Sequence, residues 1–173
     1  MYNRIAYLED RISRLETVIT KRAGVRIKVP PALLTMLAKK GEASLNKVYN
    51  YGDPAQPGSF GWGANHQSAL HALEAIVLGQ TDLEDVSDAV HRGWSHAFYT
   101  IKDPAYKVTI LDQATGLPKG KKKYLDRLSL AKKQYRSLPE SEKLKDRLIA
   151  RPILEWALDN PDIVAQIRAQ SHL

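Results

Sequence analysis

The chain of 173 residues is long enough for one hydrophobic core, and its lack of cysteine excludes disulfides, thiolate metal sites and a cysteine nucleophile. No stretch approaches the about 18 apolar residues of a membrane-spanning helix, and the N-terminus lacks the apolar segment of a secretory signal, so we expect a cytoplasmic protein. The formal net charge is +7, and residues 101–173 hold 15 basic and 9 acidic residues, which favours acidic partners.

Residues 1–22 have the spacing of a coiled coil, in which apolar residues recur alternately after three and four positions. The predicted seam consists of Ile5, Leu8, Ile12, Leu15 and Ile19. In this register Arg4 and Arg11 occupy position g, and Glu9 and Glu16 occupy position e. These charges attract each other in a parallel bundle and repel each other in an antiparallel one. We therefore predict that this segment joins copies of the chain in parallel.

The number of helices in this bundle is open between two and three. Isoleucine at position a with leucine at position d favours a dimer. Residues 4–9 and 11–16, however, both resemble a trimerisation motif of short coiled coils, with arginine, two apolar residues and glutamate at the same spacing. We predict a parallel homotrimer, with a dimer as the alternative. The competing interpretation is an amphipathic helix that packs on its own domain, because it would have the same apolar stripe.

Residues 23–173 are predicted to form one globular domain, so the fold class is mainly α with an N-terminal coiled-coil helix. At most a small two-stranded β element is expected. One strand is predicted over 25–29, where apolar and basic residues alternate, and the other over 106–111.

The first part of the domain is predicted to contain two helices separated by a long loop. One helix covers 31–40 and is ended by Gly41, and the other covers 66–78. Residues 50–65 hold four glycines and two prolines, which predicts a loop between them. Long ordered loops in compact domains are often functional.

Further helices are predicted along the rest of the chain. One begins with the capping box of residues 81–84, and its apolar stripe consists of Leu83, Val86, Val90, Trp94 and Phe98. Another covers 121–136, and the next begins with a second capping box at 137–140. Pro152 is expected to kink or break that helix, because proline cannot donate a backbone hydrogen bond. Residues 160–162 cap a last short helix.

The strongest electrostatic feature is the basic segment over residues 119–136. Its cations are Lys119, Lys121, Lys122, Lys123, Arg127, Lys132, Lys133 and Arg136, and its only acid is Asp126. Phosphate-rich ligands such as nucleic acid or nucleotides, or an acidic protein, would be attracted to it, and oligomerisation would multiply weak contacts. Tyr124 and Tyr135 could stack on bases, although their spacing also fits a buried stripe. A solvated helix face is the simpler alternative.

A pocket is the alternative functional site, between the loop over 50–65 and the helix that carries His91. Its candidate residues are Trp62, His66, His91, Trp94 and Tyr99. His66 and His71 are five positions apart, as are His91 and His96, whereas two metal ligands on one helix face need a spacing of three or four. A metal pair within one helix is therefore not predicted; His66, His91 and nearby carboxylates could converge only across helices, and we predict no metal and no cofactor. Sequence motifs for a nucleophile elbow, a phosphate-binding loop or a dinucleotide site are absent.

Two stretches of the chain resemble the ryanodine-receptor repeat. Residues 90–94 contain its His-x-x-Trp, and residues 135–147 resemble its Tyr-x-x-Leu-Pro-x-x-Glu-Lys stretch. The second Gly-Trp motif of the family is replaced by residues 97–100, and the resemblance covers at most residues 83–158. It implies a mainly helical module that binds partners or small phosphorylated ligands without catalysis.

The layout of a parallel coil carrying a compact basic head also resembles small accessory proteins of bacteriophages, which would place the protein in the host cytoplasm or the virion. The leading hypothesis is a non-enzymatic homo-oligomer whose basic heads bind acidic partners. A small-ligand receptor or enzyme and a purely structural assembly protein are the alternatives.

Overall fold

The computed structural model describes residues 27–101 and 121–171, which form six α-helices and no strand. In chain order these are α1 (Pro31–Tyr49), α2 (Phe60–Val77), α3 (Leu83–Thr100), α4 (Lys121–Lys132), α5 (Glu140–Asp159) and α6 (Pro161–Gln170), with a 3-10 helix (Tyr135–Ser137) between α4 and α5. The predicted coiled coil and the strand predicted over 106–111 lie outside the described residues. Within the described ranges no helix has the length and apolar content needed to cross a membrane.

The centre of the domain is the contact between α2 and α3, which is built from small residues. Ala64, Ser68 and Ala72 on α2 and Ala89, Gly93 and Ala97 on α3 each recur every four positions and are buried. A Cβ atom added at Gly93 would lie 2.3 Å from the carbonyl oxygen of Gln67 and 2.7 Å from the Cα atom of Ser68. The backbones of the two helices therefore touch at Gly93, which leaves no room for a side chain there.

The remaining helices enclose this pair. Leu37 of α1, Leu73 of α2, Val86 and Val90 of α3 and Ile153 of α5 are fully buried in one cluster. Removing this apolar surface from water is the main term that holds α1 and α5 against the central pair. Helix α6 joins the same cluster through Val164 and Ile167, and Arg168 donates from Nε to the carbonyl of Val77 over 2.7 Å. That bond satisfies one of the free carbonyls at the end of α2.

The two ends of the described domain lie side by side. Ile27 is buried in the main cluster, and the backbone amide of Lys28 donates to Oγ of Ser171 over 3.0 Å. Ser171 in turn donates to the carbonyl of Ile167 over 2.6 Å. The strand predicted over 25–29 is wrong for residues 27–29, which form no strand. The Lys28 amide bonds to the side chain of Ser171 at the end of α6 rather than to a neighbouring strand.

Some glycines that were predicted to end a helix or to lie in a loop are inside helices. Helix α1 continues past Gly41, which faces α5: a Cβ atom added at Gly41 would lie 2.9 Å from Cγ2 of Ile149. The helix ends at Tyr49 and is followed by Asn50, whose φ of 47° is left-handed. The loop predicted over 50–65 is ten residues long at most, because α2 already begins at Phe60. Ser59 caps that helix by accepting a hydrogen bond from the amide of Trp62 over 3.1 Å.

The predicted capping box at 81–84 is realised in part, since Asp82 caps α3 by accepting from the amide of Glu84 over 2.8 Å. The box predicted at 137–140 is wrong: Pro139 precedes α5 and no side chain caps it. Pro152 lies within α5, which continues to Asp159. Asn160 donates from Nδ2 to the carbonyl of Trp156 over 2.7 Å, so its side chain caps the end of α5 rather than the start of α6.

A second, aromatic cluster positions α4 on the domain. Its buried members are Phe60, Ala64, Ala97, Phe98 and Ala131, with Trp94, Ile101, Tyr124 and Leu128 packed against them. The ring of Phe98 lies 5.9 Å from that of Trp94 and 5.6 Å from that of Tyr124, measured between centroids. These offsets are typical of favourable aromatic pairs. Helix α4 is therefore held by its inner face, which directs its other residues to solvent.

Candidate functional site

The outer face of α4 and the turn after it carry the cations of the basic segment. Lys123, Lys132, Lys133 and Arg136 are exposed. Within the described residues, no carboxylate pairs with Lys123, Lys132 or Lys133. The guanidinium carbon of Arg127 lies 5.5 Å from the centroid of the Phe60 ring. The surface thus holds several cations whose charge is available to an external ligand.

Three predicted cations of this segment fall outside that description. Lys119 lies outside the described residues, and Lys121 and Lys122 belong to α4 without a described side chain. The predicted helix over 121–136 ends at Lys132, and a 3-10 helix follows it. Tyr135 is buried and Tyr124 packs against the aromatic cluster, which agrees with the buried stripe rather than with two rings free to stack on bases.

His91 fixes the end of the basic segment. Its Nε2 donates to the carbonyl of Lys133 over 2.8 Å, and its Nδ1 lies 3.5 Å from Oδ2 of Asp146 on α5. His91 is 4% exposed and Asp146 9%. Both ring nitrogens face oxygen atoms, an arrangement that favours the doubly protonated, positively charged form of the ring. One buried side chain therefore joins α3, α5 and the backbone that presents Lys133.

The charge on this ring follows from its surroundings. Burial lowers the pKa of His91, but the carboxylate of Asp146 outweighs that effect and the pKa is raised. The Lys133 carbonyl and the charge of Asp88 act in the same direction as Asp146. Burial raises the pKa of Asp146, and His91 opposes this shift. The separation of 3.5 Å is long for a hydrogen bond, so the contact combines a weak hydrogen bond with coulombic attraction.

A second anchor holds the 3-10 helix that ends the basic segment. Tyr135 is buried, and its hydroxyl donates to Oε2 of Glu84 on α3 over 2.9 Å. Burial and the Glu84 carboxylate together raise the pKa of Tyr135 to about 12, so the phenol is protonated at neutral pH. Glu84 also accepts from Arg147 of α5 over 2.6 Å, and Arg147 donates to Glu140 over 3.0 Å. The basic segment is thus fixed at both Lys133 and Tyr135.

The residues of the ryanodine-receptor-repeat resemblance have structural roles here. His91 and Trp94 have ring centroids 6.0 Å apart, and Trp94 packs into the aromatic cluster. Tyr135 and Leu138 are buried, and the ammonium of Lys143 lies 5.8 Å from the centroid of the Tyr135 ring. The packing of the domain accounts for these residues without a bound ligand.

The residues of the alternative pocket come together as two pairs. Trp62 and His66 are neighbours on α2, with ring centroids 4.5 Å apart, and His91 pairs with Trp94 on α3. Tyr99 is 59% exposed and meets the edge of the Phe98 ring. His91 and Trp94 are engaged in packing, whereas the pair of Trp62 and His66 lies at the surface beside α1.

Helix α1 borders the pair of Trp62 and His66 through two side chains. The hydroxyl of Thr35 lies 3.0 Å from Nε2 of His66, and the ammonium of Lys39 lies 6.0 Å from the centroid of the Trp62 ring. An open depression of about 510 Å³ runs along α1 here. It is lined by Ala32, Thr35, Met36, Lys39, Lys40 and Ala43. Its lining is mainly apolar and includes two lysines.

A second cavity of about 180 Å³ lies between α2 and α3. It is lined by His71, Glu74, Ala75, Leu78, Gln80 and Arg92. Burial, the charge of Arg92 and the neighbouring His96 lower the pKa of His71 to about 4, so this ring is neutral at physiological pH. Spacing within one helix could not predict this cavity, because His71 lies on α2 whereas Arg92 and His96, which lower its pKa, lie on α3. No group of three or more histidine, cysteine, aspartate or glutamate side chains in the described residues is arranged to hold a metal.

Comparison of the chain with protein-family models, with curated proteins and with solved structures gives no match. Function must therefore be inferred from the contacts, burial and charge of this chain itself.

Proposed function

We propose that this protein is a non-enzymatic, homo-oligomeric nucleic-acid-binding protein whose binding surface is the outer face of α4 and the turn after it. The observation that carries this proposal is the exposed set of Lys123, Lys132 and Lys133, which have no carboxylate partner within the described residues. Lysines placed in this way bind phosphates and release the counterions of the nucleic acid.

The rigidity of the backbone supports the same proposal. His91 holds the carbonyl of Lys133, and Tyr135 is tied to Glu84. A cation on a fixed backbone loses less conformational freedom on binding than one on a mobile loop, which favours affinity. An isolated head with few phosphate contacts would bind weakly, and the predicted coil over 1–22 would raise the apparent affinity by holding several heads on one strand.

Neutralising the lysines on this surface is expected to weaken binding of nucleic acid. The triple variant Lys123→Gln, Lys132→Gln and Lys133→Gln removes three phosphate contacts. The negative slope of log affinity against log salt should therefore become less steep by about 2. Fluorescence anisotropy with a labelled oligonucleotide across a salt series measures both quantities. Mass by light scattering should be unchanged.

The matched control carries the same loss of charge elsewhere on the domain. Lys28, Lys47 and Arg151 are exposed and lie outside the basic segment. A triple glutamine variant at these positions lowers the net charge equally and should keep most of the salt dependence. If both triple variants lose affinity to the same extent, binding depends on overall charge and the α4 surface is not the site.

Deletion of residues 1–22 is expected to convert the proposed trimer to a monomer. The remaining domain should stay helical by circular dichroism and unfold cooperatively, because its described core is built from Ile27 onwards. Light-scattering mass of the two chains at equal concentration tests this. If both chains contain the same number of copies per particle, the coil is contradicted, and the alternative in which this segment packs on its own domain is favoured.

A further inference from the structure

Two cation–aromatic contacts flank the first turn of α2. Lys39 of α1 lies over the Trp62 ring, 6.0 Å from its centroid, and Arg127 of α4 lies 5.5 Å from the centroid of the Phe60 ring. Phe60 is buried in the aromatic cluster, whereas Trp62 is only partly buried. The two contacts thus lie on either side of this turn, one towards α1 and the other towards α4.

Trp62 is held rigidly from one side. The His66 ring lies against it at 4.5 Å between centroids, and its Nδ1 donates to the carbonyl of Trp62 over 2.7 Å. Nε2 of His66 then accepts from the hydroxyl of Thr35 over 3.0 Å. Both ring nitrogens thus have a hydrogen-bond partner, so His66 is fixed as a support behind the indole.

Only Lys39 covers the indole as a cation within the described contacts, and this side chain is exposed. An exposed lysine above an aromatic ring is held weakly, whereas a nucleic-acid base stacked on the ring makes a stronger contact. A base can therefore replace the ammonium over Trp62, and the displaced ammonium can bind the adjoining phosphate. Lys40 also lines the depression along α1, where it would attract a second phosphate.

We propose that Trp62 is a base-stacking platform, with Lys39 and Lys40 as its phosphate ligands, and that the protein binds single-stranded nucleic acid in preference to duplex. This inference rests on the proposed function, since the exposed lysines of α4 would supply the further phosphate contacts. The bases of a duplex are stacked on one another and are not available to the indole, whereas a single strand exposes them.

The test compares single-stranded and duplex ligands on the full chain. The probes are a fluorescein-labelled oligothymidylate of about 12 nucleotides, within the site sizes known for stacking proteins, and a duplex of equal length. Anisotropy gives affinity, and quenching of tryptophan fluorescence reports stacking. Trp94 and Trp156 pack against the two core clusters, so the quenching is expected to come from Trp62.

The variant Trp62→Leu should lower affinity for the single strand about tenfold, leave affinity for the duplex unchanged and abolish the quenching. Trp62→Phe retains an aromatic face and should keep most of the single-strand affinity, which separates stacking from a loss of folding. Lys39→Gln should weaken single-strand binding and leave the quenching in place.

Equal effects of Trp62→Leu on both ligands, or unchanged single-strand affinity, would overturn the inference. If the lysine variants of α4 lose binding while Trp62→Leu does not, the proposed function stands and the stacking platform is wrong. If neither probe binds the unaltered protein at low salt, the proposed function fails and the platform fails with it.

Discussion

Replacing His91 with leucine is expected to lower the free energy of unfolding by about 3 kcal/mol. The substitution leaves Asp146 buried without its partner, and it removes the hydrogen bond to the Lys133 carbonyl. Breaking a buried ion pair from one side costs about 3–5 kcal/mol, and the separation of 3.5 Å places this pair at the lower end. Urea unfolding followed by circular dichroism measures the change.

A double variant tests whether the charge pair is the cause. The variant that combines His91→Leu with Asp146→Asn should recover part of the lost stability, because an uncharged amide is less costly to bury than a carboxylate. If the double variant is less stable than His91→Leu, the loss comes from packing and not from the unpaired charge.

The pH dependence has a definite sign. The pKa of His91 is raised in the folded state above its ordinary value of 6.5. Its contribution to stability is therefore complete below pH 6.5 and is lost as the pH rises through the raised pKa. Unfolding curves of the unaltered protein should show this decline, and those of His91→Leu should not. Asp146 and Asp88 are the carboxylates that face the ring, and a decline that persists in His91→Leu would point to one of them.

Gly93→Ala is expected to destabilise the domain by about 2–3 kcal/mol. The new methyl group would overlap the backbone of α2, at 2.3 Å from the Gln67 carbonyl oxygen. A flexible side chain could move aside, but here the obstacle is main chain, so α2 and α3 must separate. That separation disturbs the packing of every small residue along their contact. Thermal and urea unfolding of the variant measure the loss.

Gly61→Ala is the matched control, because it makes the same substitution inside α2. A Cβ atom there would meet Cβ of Ala55 at 3.3 Å, which a small loop adjustment relieves. Alanine also favours the helix over glycine by up to about 1 kcal/mol. Gly61→Ala should therefore be neutral or slightly stabilising. If Gly93→Ala were equally well tolerated, the close approach of the two helices would be wrong.

The helices with a large-residue stripe could be predicted from the sequence. The period of Val86, Val90 and Phe98 predicts α3, and all three are buried; the cap is Asp82 rather than the first residue of the predicted box at 81–84. The contact between α2 and α3 was missed because small residues give no apolar stripe. Gly41 was interpreted as a helix end, yet it lies inside α1 because Ile149 packs where a side chain would be. Local propensity is overridden there by tertiary packing.

In the candidate site, too, residues with a local sequence pattern could be predicted and contacts between helices could not. The cations of the basic segment are visible in the sequence, since they are contiguous. The role of His91 depends on Asp146, which lies on another helix, and on a backbone carbonyl, and no local pattern encodes either partner. The pair of Trp62 and His66 did carry a local signal, because residues four positions apart meet on a helix face.

The bond between the Lys28 amide and the Ser171 hydroxyl makes the domain nearly a closed ring of chain. Joining residue 171 to residue 27 through a short glycine–serine linker would require little rearrangement, because the two ends are already adjacent. The ring could then be opened in the exposed loop over 50–59, where new termini are tolerated best. Such a circular permutant would begin with α2 and end with α1 while keeping the same helix neighbours, so the order of helices along the chain is separable from their arrangement in space.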